Sequence, residues 1–186
     1  MKSVIFDGTE IFYVHTGSDR RTISATVDKD GVLQVKSPRR VGDEEVRRFI
    51  LDNGVRILGM VERSRQRAKY EESLGDEGLA RLRELAKSVI PERVEHFAGI
   101  MGVRPARVWI NAATTRFGSC SSKGNLNFSC RVMAYSANAV DYVVVHELCH
   151  LIHMDHSPAF WRTVEKYMPD YREARLELRR IPGFSE

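Results

Sequence analysis

Four of the six histidines of this chain lie in one stretch of eleven residues, "HELCHLIHMDH", which runs from His146 to His156. The stretch begins with the motif H-E-x-x-H. On an α-helix, residues four apart differ by about 40° of rotation and about 6 Å of rise, so His146 and His150 project side by side. Paired imidazoles suit a zinc ion, and Glu147 is placed to take a proton from a water on that ion. The spacing therefore predicts the site of a metal-dependent hydrolase.

The third metal ligand is either His153 or His156. On a continuous helix His153 points nearly the same way as His146 but lies about 10 Å further along the axis. His156 is out of reach while the helix continues. However, Ser157 and Pro158 are typical of the N-cap and first position of a new helix, so the chain must turn before them. This turn favours His156 and leaves His153 as a hydrogen-bonding neighbour or as a donor to the developing oxyanion.

Other polar residues near the motif have simpler interpretations. Asp155 suits a turn, with metal ligation or orientation of a histidine as the alternatives. Cys149 lies about 300° around the helix from His146, which favours packing. The chain has three cysteines and no C-x-x-C pair. The sequence thus predicts free thiols rather than disulfides or a cysteine zinc knuckle.

The elements that must position these residues follow from the hydrophobic pattern. Residues 1–36 are β-rich, and the turns "DGT" and "DKDG" predict two hairpins, which we expect to form a four-stranded meander. A helical pattern runs from Gly42 to Ser73 with one slip at Gly54. A second apolar stripe contains Pro91, which predicts a kink or two abutting helices.

The part of the chain around the motif is predicted to form two strands and a helix. Residues 107–111 and 125–134 are predicted strands, separated by a polar loop. Asn138 and Asp141 resemble a capping box at the start of the motif helix. The valine run 143–145 alone would suggest a strand, but the motif that follows it favours a helix.

Composition sets wider limits. The chain has 186 residues, 42% of them hydrophobic, which is enough for one domain with a core. Its net charge is +4, and a basic cluster at residues 63–69 is either a solvated helix face or a contact for nucleic acid. The N-terminal apolar run is broken by Asp7 and Glu10. We therefore expect no signal peptide, no membrane span and a cytosolic location.

Two stretches resemble a known family. "TRFGSCSSKGNLNFSCRV" (115–132) is similar to the pattern R-W-G-S-C-x-x-x-G-x-L. "VVVHELCHLIHMDHSPAFW" (143–161) is similar to H-E-L-x-H-x-x-x-x-x-H-S-x-x-F-W. Both patterns are those of the YgjP-type, SprT/WLM-related predicted zinc metallopeptidases. Phe117 stands where this family often has Trp, and "FSCRV" replaces its more usual N-W-R-L. The spacing of His146, His150 and His156 also matches the metzincin motif, H-E-x-x-H-x-x-G-x-x-H. However, His153 occupies the glycine position of that motif.

The resemblance implies one zinc ion on His146, His150 and His156, with Glu147 as general acid and base. It also implies a zincin-like α+β fold, in which N-terminal hairpins and helices accompany a small antiparallel sheet packed on the H-E-x-x-H helix. We expect one metallohydrolase domain over 1–186, with a β-rich part (1–40), a helical part (42–103) and a zinc-binding core (104–186).

A cytosolic zinc peptidase is the favoured function. By analogy with zincins, strand 125–134 would hold an extended peptide. Arg116 is a candidate for stabilising negative charge, with a structural ion pair as the alternative, and Tyr135 and Tyr142 are further oxyanion candidates. Phe160 and Trp161 are expected to pack the next helix onto the motif helix. Hydrolysis of a nucleotide or another phosphoester stays open, as does a nucleic-acid-binding module with structural zinc.

Overall fold

The computed structural model describes residues 1–28 and 30–179. The chain forms two compact units, of which the first is Met1–Ser73 and the second begins at Leu74. Strands and helices occur in both, which confirms the α+β class. Among the described residues, no helix combines the length and the hydropathy that crossing a membrane requires. The expectation of one domain, and its division near residues 40 and 103, stay predictions.

A four-stranded sheet forms most of the first unit. Its strands are β1 (Lys2–Phe6), β2 (Thr9–Ser18), β3 (Ser24–Val27) and β4 (Leu33–Pro38). Both predicted hairpins are present, and Asp7 and Gly8 have the positive φ angles, 48° and 72°, of a two-residue hairpin turn. The order is β1-β2-β4-β3, so the expected meander is wrong. Leu33 and Val35 of β4 are fully buried, and this strand therefore takes the centre of the sheet.

The helices that follow are α1 (Asp43–Asp52) and α2 (Gly54–Met101). Asn53 separates the two helices, and this break explains why the helical spacing of the hydrophobic residues shifts at Gly54. Within α2 the non-helical residue is Gly75, with φ 60° and ψ 179°, and helix continues on both sides of Pro91. Two helices therefore do not abut at Pro91.

The sheet of the second unit has three strands: β5 (Arg107–Asn111), β6 (Gly118–Cys120) and β7 (Asn125–Ser129). The order is β5-β7-β6, and β5 pairs with β7 in parallel. The expected antiparallel sheet is therefore a mixed sheet. Strand β6 lies in the segment predicted to be a polar loop. It forms a hairpin with β7, whose fully buried Leu126 and Phe128 place that strand in the middle.

The second predicted strand is shorter than expected. A 3-10 helix, Cys130–Ala134, follows β7 directly. The Ser129 hydroxyl accepts a hydrogen bond from the amide of Arg131, and the Arg131 guanidinium donates to the carbonyl oxygen of Ala112 at 2.6 Å. These bonds stabilise the 3-10 helix at the point where the strand ends.

Three helices complete the unit: α3 (Ala137–Cys149), α4 (Pro158–Tyr167) and α5 (Tyr171–Leu178). The N-cap of α3 is Ser136, whose hydroxyl accepts from the amide of Ala139 at 3.2 Å. The predicted Asn138 cap is wrong, because Asp141 instead binds the Arg93 guanidinium through two bonds of 2.6 and 2.7 Å. The valine run lies within α3, as predicted, and α3 is buried along nearly its whole length.

Candidate metal centre

The end of α3 brings three histidines together. The helix ends at Cys149, and the amides of Ile152 and His153 donate to the Cys149 carbonyl oxygen in the turn that follows. This turn returns the chain, so that Nε2 of His156 lies 3.1 Å from Nε2 of His146. One nitrogen from each of His146, His150 and His156 lies within 4.8 Å of the other two. The restart of the helix at Pro158, predicted from the sequence, is confirmed.

His153 is turned away from this cluster. Its Nε2 lies 3.1 Å from the Thr163 hydroxyl oxygen on α4. Its backbone carbonyl accepts a hydrogen bond of 3.0 Å from Nδ1–H of His150. Because a carbonyl only accepts, this bond fixes the proton on Nδ1 and leaves Nε2 of His150 with its lone pair for a metal. His153 thus supports the cluster through its backbone.

Aromatic rings hold the three imidazoles in place. Phe160, on α4, is fully buried, and its ring centroid lies 4.9, 4.6 and 4.8 Å from those of His146, His150 and His156. Trp161 lies 5.9 and 5.8 Å from His146 and His156. The sequence predicted that these aromatics pack α4 onto α3. It gave no sign that Phe160 touches all three histidines.

Burial also sets the protonation of His146 and His150. Burial, with smaller contributions from His150, His156 and Arg175, lowers the pKa of His146 to about 3. Burial lowers the pKa of His150 as well. Neutral imidazole is the form that binds a metal. Nitrogen ligands at about 2.0–2.1 Å from a tetrahedral zinc stand about 3.3 Å apart, close to the separation of the two Nε2 atoms above. The donor set therefore fits one zinc ion.

Glu147 lies against β6. Its side chain is 5% exposed. A Cβ atom placed on Gly118 would lie 2.6 Å from Cγ and 2.7 Å from Cδ of Glu147, which is closer than real contacts allow. Only glycine lets the strand approach the carboxylate this closely. Gly118 was not singled out from the sequence, although a glycine inside a strand often marks such an approach.

An open cavity of about 400 Å³ joins these groups, and its lining includes the three histidines, Glu147, Arg116 and β6. Arg116 is exposed at its rim. Cys120 also lines it, and burial, followed by the charge of Glu147, raises the pKa of this thiol to about 11. A neutral thiol is a poor metal ligand at neutral pH.

Two tyrosines considered as oxyanion donors have other partners. The Tyr135 hydroxyl donates to the Leu178 carbonyl oxygen at 3.4 Å, and its ring packs edge-on against Phe117 at 5.1 Å. The Tyr142 hydroxyl lies 3.4 Å from Nδ1 of His146. Neither tyrosine lines the cavity that contains Arg116. Tyr142 instead helps to orient a histidine.

The remaining residues near the motif behave as turn and packing residues. The Asp155 carboxylate accepts from the amide of Ser157 at 3.2 Å, which stabilises the turn before α4. Cys149 is fully buried, and burial raises the pKa of its thiol to about 12.

Strand β6, which contacts Glu147, is an edge strand of its sheet, whereas β7 is not. Strand β7 lies between β5 and β6, so both of its edges are paired, and the expectation that residues 125–134 hold a peptide is wrong. The carbonyl of Phe117 and the amide of Ser121 bond to β7. Backbone direction alternates along an antiparallel strand. Gly118 and Cys120 therefore turn their amide and carbonyl groups towards the free edge.

Comparison with known proteins assigns the family. A family model described as "YgjP-like, metallopeptidase domain" matches residues 72–181, which is more than half of the chain. The chain belongs to this family. The match covers the histidine cluster, Glu147 and β6, so the chain contains a metallopeptidase domain, as the resemblance implied. A comparison with curated proteins gives no match.

Two crystal structures are similar to parts of this YgjP-like chain. One is the metallopeptidase zymogen of Pyrococcus abyssi abylysin, with 25% identity and a TM-score of 0.46 over 52% of this chain and 100% of that one. The other is the metallopeptidase zymogen of Methanocaldococcus jannaschii jannalysin, with 19% identity and a TM-score of 0.43 over 48% of this chain and 92% of that one.

Proposed function

We propose that this protein is a zinc-dependent peptidase, with one zinc ion on His146, His150 and His156. The observation that carries the proposal is the convergence of three imidazole nitrogens within 4.8 Å of one another in the cavity that also contains Glu147. Structural zinc usually has four protein ligands, often with cysteine. Three histidine ligands beside a carboxylate fit a catalytic zinc site, which keeps one position open for water, better than they fit a structural site.

The roles of the residues follow from their positions. A zinc ion bound there would polarise the scissile carbonyl and lower the pKa of a water to about 7. Glu147 takes the proton of the attacking water and returns it to the leaving amine. Arg116, at the rim of the cavity, stabilises the negative charge that develops on the substrate. The His153 carbonyl keeps the His150 ring oriented.

An extended peptide is the shape that the free edge of β6 would accept. The outward-facing backbone groups of Gly118 and Cys120 supply the hydrogen bonds of one added strand. Both residues line the cavity that contains Glu147. A peptide paired with them would pass the carboxylate and the histidine cluster. This geometry supports a peptide substrate.

No observation favours the other functions. A dipositive site could also polarise a phosphoryl group, and Arg63, Arg65 and Lys69 of the basic cluster are exposed. Exposure is equally expected of a solvated helix face, which is the common case. The family match names a metallopeptidase and gives no nucleic-acid partner.

The test compares zinc-loaded wild type with Glu147→Gln on a peptide panel and a nucleotide panel. We expect peptide cleavage by the wild type and a loss of about 10²–10⁴-fold in kcat in the variant, with zinc content unchanged, because only the general base is removed. Glu95→Gln, at an exposed position of α2, is the matched control and should keep full activity. Equal peptide cleavage by wild type and Glu147→Gln, or Glu147-dependent cleavage of nucleotides alone, would contradict the proposal.

A further inference from the structure

The cleft continues beyond the histidine cluster into a second cavity. This cavity has a volume of about 390 Å³ and shares His150 and Met154 with the cavity of the candidate site. Its other walls come mainly from Val103 and Arg104, which follow α2, and from the turn Ser121–Gly124, which directly follows β6. The two cavities therefore adjoin at His150 and Met154, and β6 leads from Glu147 towards the second one.

The second cavity is positively charged. Arg104 and Lys123 line it, and its lining contains no acidic residue. Both side chains are exposed, and neither forms an ion pair with any residue in the described part of the chain. The cavity also contains Ser121 and Ser122. Two unneutralised cations in one concave site attract an anionic group and repel a cationic one.

Backbone hydrogen bonds join the two segments that carry these cations. Gly102, with φ 67°, ends α2 and turns the chain towards Arg104. The Gly124 carbonyl accepts from the amide of Ala106 at 2.9 Å, and the Gly124 amide donates to the Ser121 carbonyl at 2.8 Å. The segment with Arg104 and the turn with Lys123 are thus tied to each other, and the two charges lie at one cavity before any substrate binds.

We propose that this cavity binds a carboxylate of the peptide substrate and so makes the protein selective for acidic peptides. The carboxylate is either an Asp or Glu side chain or the free C-terminus of the substrate, since both have the same charge and hydrogen-bonding capacity. The inference rests on the proposed peptidase function and adds a substrate class to it. Arg104 and Lys123 are specificity-determining residues that take no part in bond cleavage.

The experiment uses peptides in matched pairs and the zinc-loaded, full-length protein. One series is blocked at both ends and carries Glu or Gln at successive positions around the cleavage site. The other has a neutral sequence and ends in a free acid or an amide. The variant Arg104→Gln/Lys123→Gln removes both cations, and Arg107→Gln, an exposed cation on β5 that lines neither cavity, is the control for net charge.

We expect the wild type to prefer the acidic member of at least one series by about 2- to 5-fold in kcat/KM, the range for an exposed charge pair, and less at high salt. The double variant should reduce this ratio towards one without slowing cleavage of the neutral peptide, while Arg107→Gln keeps it. The series that responds identifies the source of the carboxylate. A ratio of one in the wild type, or the same decrease in both variants, overturns the proposal.

A binding measurement separates this inference from the proposed function. The zinc-loaded Glu147→Gln variant should bind the same peptide pairs while cleaving them far more slowly, and calorimetry gives the ratio of their dissociation constants. Tighter binding of the acidic member that is lost with Arg104 and Lys123 supports the cavity even if the wild type cleaves no peptide. Equal binding of both members overturns the inference even if peptides are cleaved.

Discussion

The two halves of the cleft differ in how firmly they hold their charged groups. At the histidine cluster, His146 and Glu147 are each 5% exposed and His150 is 9% exposed. His156 is exposed, but its ring packs on Phe160 and Trp161. In the neighbouring cavity, Arg104 and Lys123 are exposed side chains on fixed backbone. Groups that react must stay within a fraction of an ångström of their working positions, whereas groups that attract a charge act over longer distances. This difference fits a catalytic role for the half with the histidine cluster and a role in substrate recognition for the half with Arg104 and Lys123.

The fold explains the firmness of the first half. Helix α3 is buried on nearly all sides, Phe160 packs on all three imidazoles, and β6 contacts Glu147 through Gly118. Rearranging any of these groups would open space in a close-packed core. Substitutions in the first half should therefore have large effects, and those in the second half should have small ones.

The largest effect after loss of Glu147 is expected at the third histidine. His156→Ala should weaken zinc binding by more than about 100-fold, because it removes a direct ligand and not an outer partner, whose loss typically costs 10–100-fold. His153→Ala should weaken it by less than about tenfold, since its backbone carbonyl, which orients His150, remains. Competition with a chromophoric chelator gives both affinities. A greater loss of zinc affinity in His153→Ala than in His156→Ala would show that His156 is not the third ligand.

A smaller effect is expected where β6 contacts the carboxylate. Gly118→Ala should lower the free energy of unfolding by about 1–3 kcal/mol through overpacking, and should also lower kcat by displacing Glu147. Gly99→Ala on α2, where a Cβ meets no atom within 4 Å, is the control and should stabilise the protein by about 0.5–1 kcal/mol. Urea unfolding and peptide cleavage measure the two quantities. If Gly118→Ala keeps full stability and activity, the contact between β6 and Glu147 does not hold the carboxylate in position.

A further effect is a pH dependence of stability in the metal-free protein. The pKa of His146 is about 3 in the folded chain and 6.5 ordinarily. Between these pH values the unfolded chain binds a proton that the folded chain does not. Stability should therefore fall as the pH is lowered from 6.5 towards 3, by at most about 1.4 kcal/mol per pH unit from this group.

Urea unfolding at several pH values isolates that contribution as the difference in slope between wild type and His146→Gln. Lys123→Gln, in the exposed half of the cleft, should keep the wild-type slope. An identical slope in wild type and His146→Gln would show that His146 is not held neutral by burial.

Sequence patterns predicted the features that depend on neighbouring residues. The spacing of His146 and His150, and the helix start at Ser157 and Pro158, were sufficient to favour the return of His156. The hairpin at Asp7 and Gly8 followed from turn chemistry. Each of these features depends on backbone geometry within a few residues.

Features that depend on distant partners were missed. Strand β6 has only three residues in a polar segment, and it exists because β7 pairs with it. The N-cap of α3 was misplaced because Asp141 is engaged by Arg93, 48 residues away in sequence. The contacts of Phe160 with three imidazoles likewise join separate elements.

X-ray absorption at the zinc edge of the loaded wild type tests the central claim most directly. If His146, His150 and His156 hold the ion, the spectrum should show three imidazole nitrogens at about 2.0–2.1 Å, one further oxygen, and no sulfur. Cys120 is the cysteine that lines the cavity. A sulfur scatterer at about 2.3 Å, or fewer than three imidazoles, would contradict the proposed site.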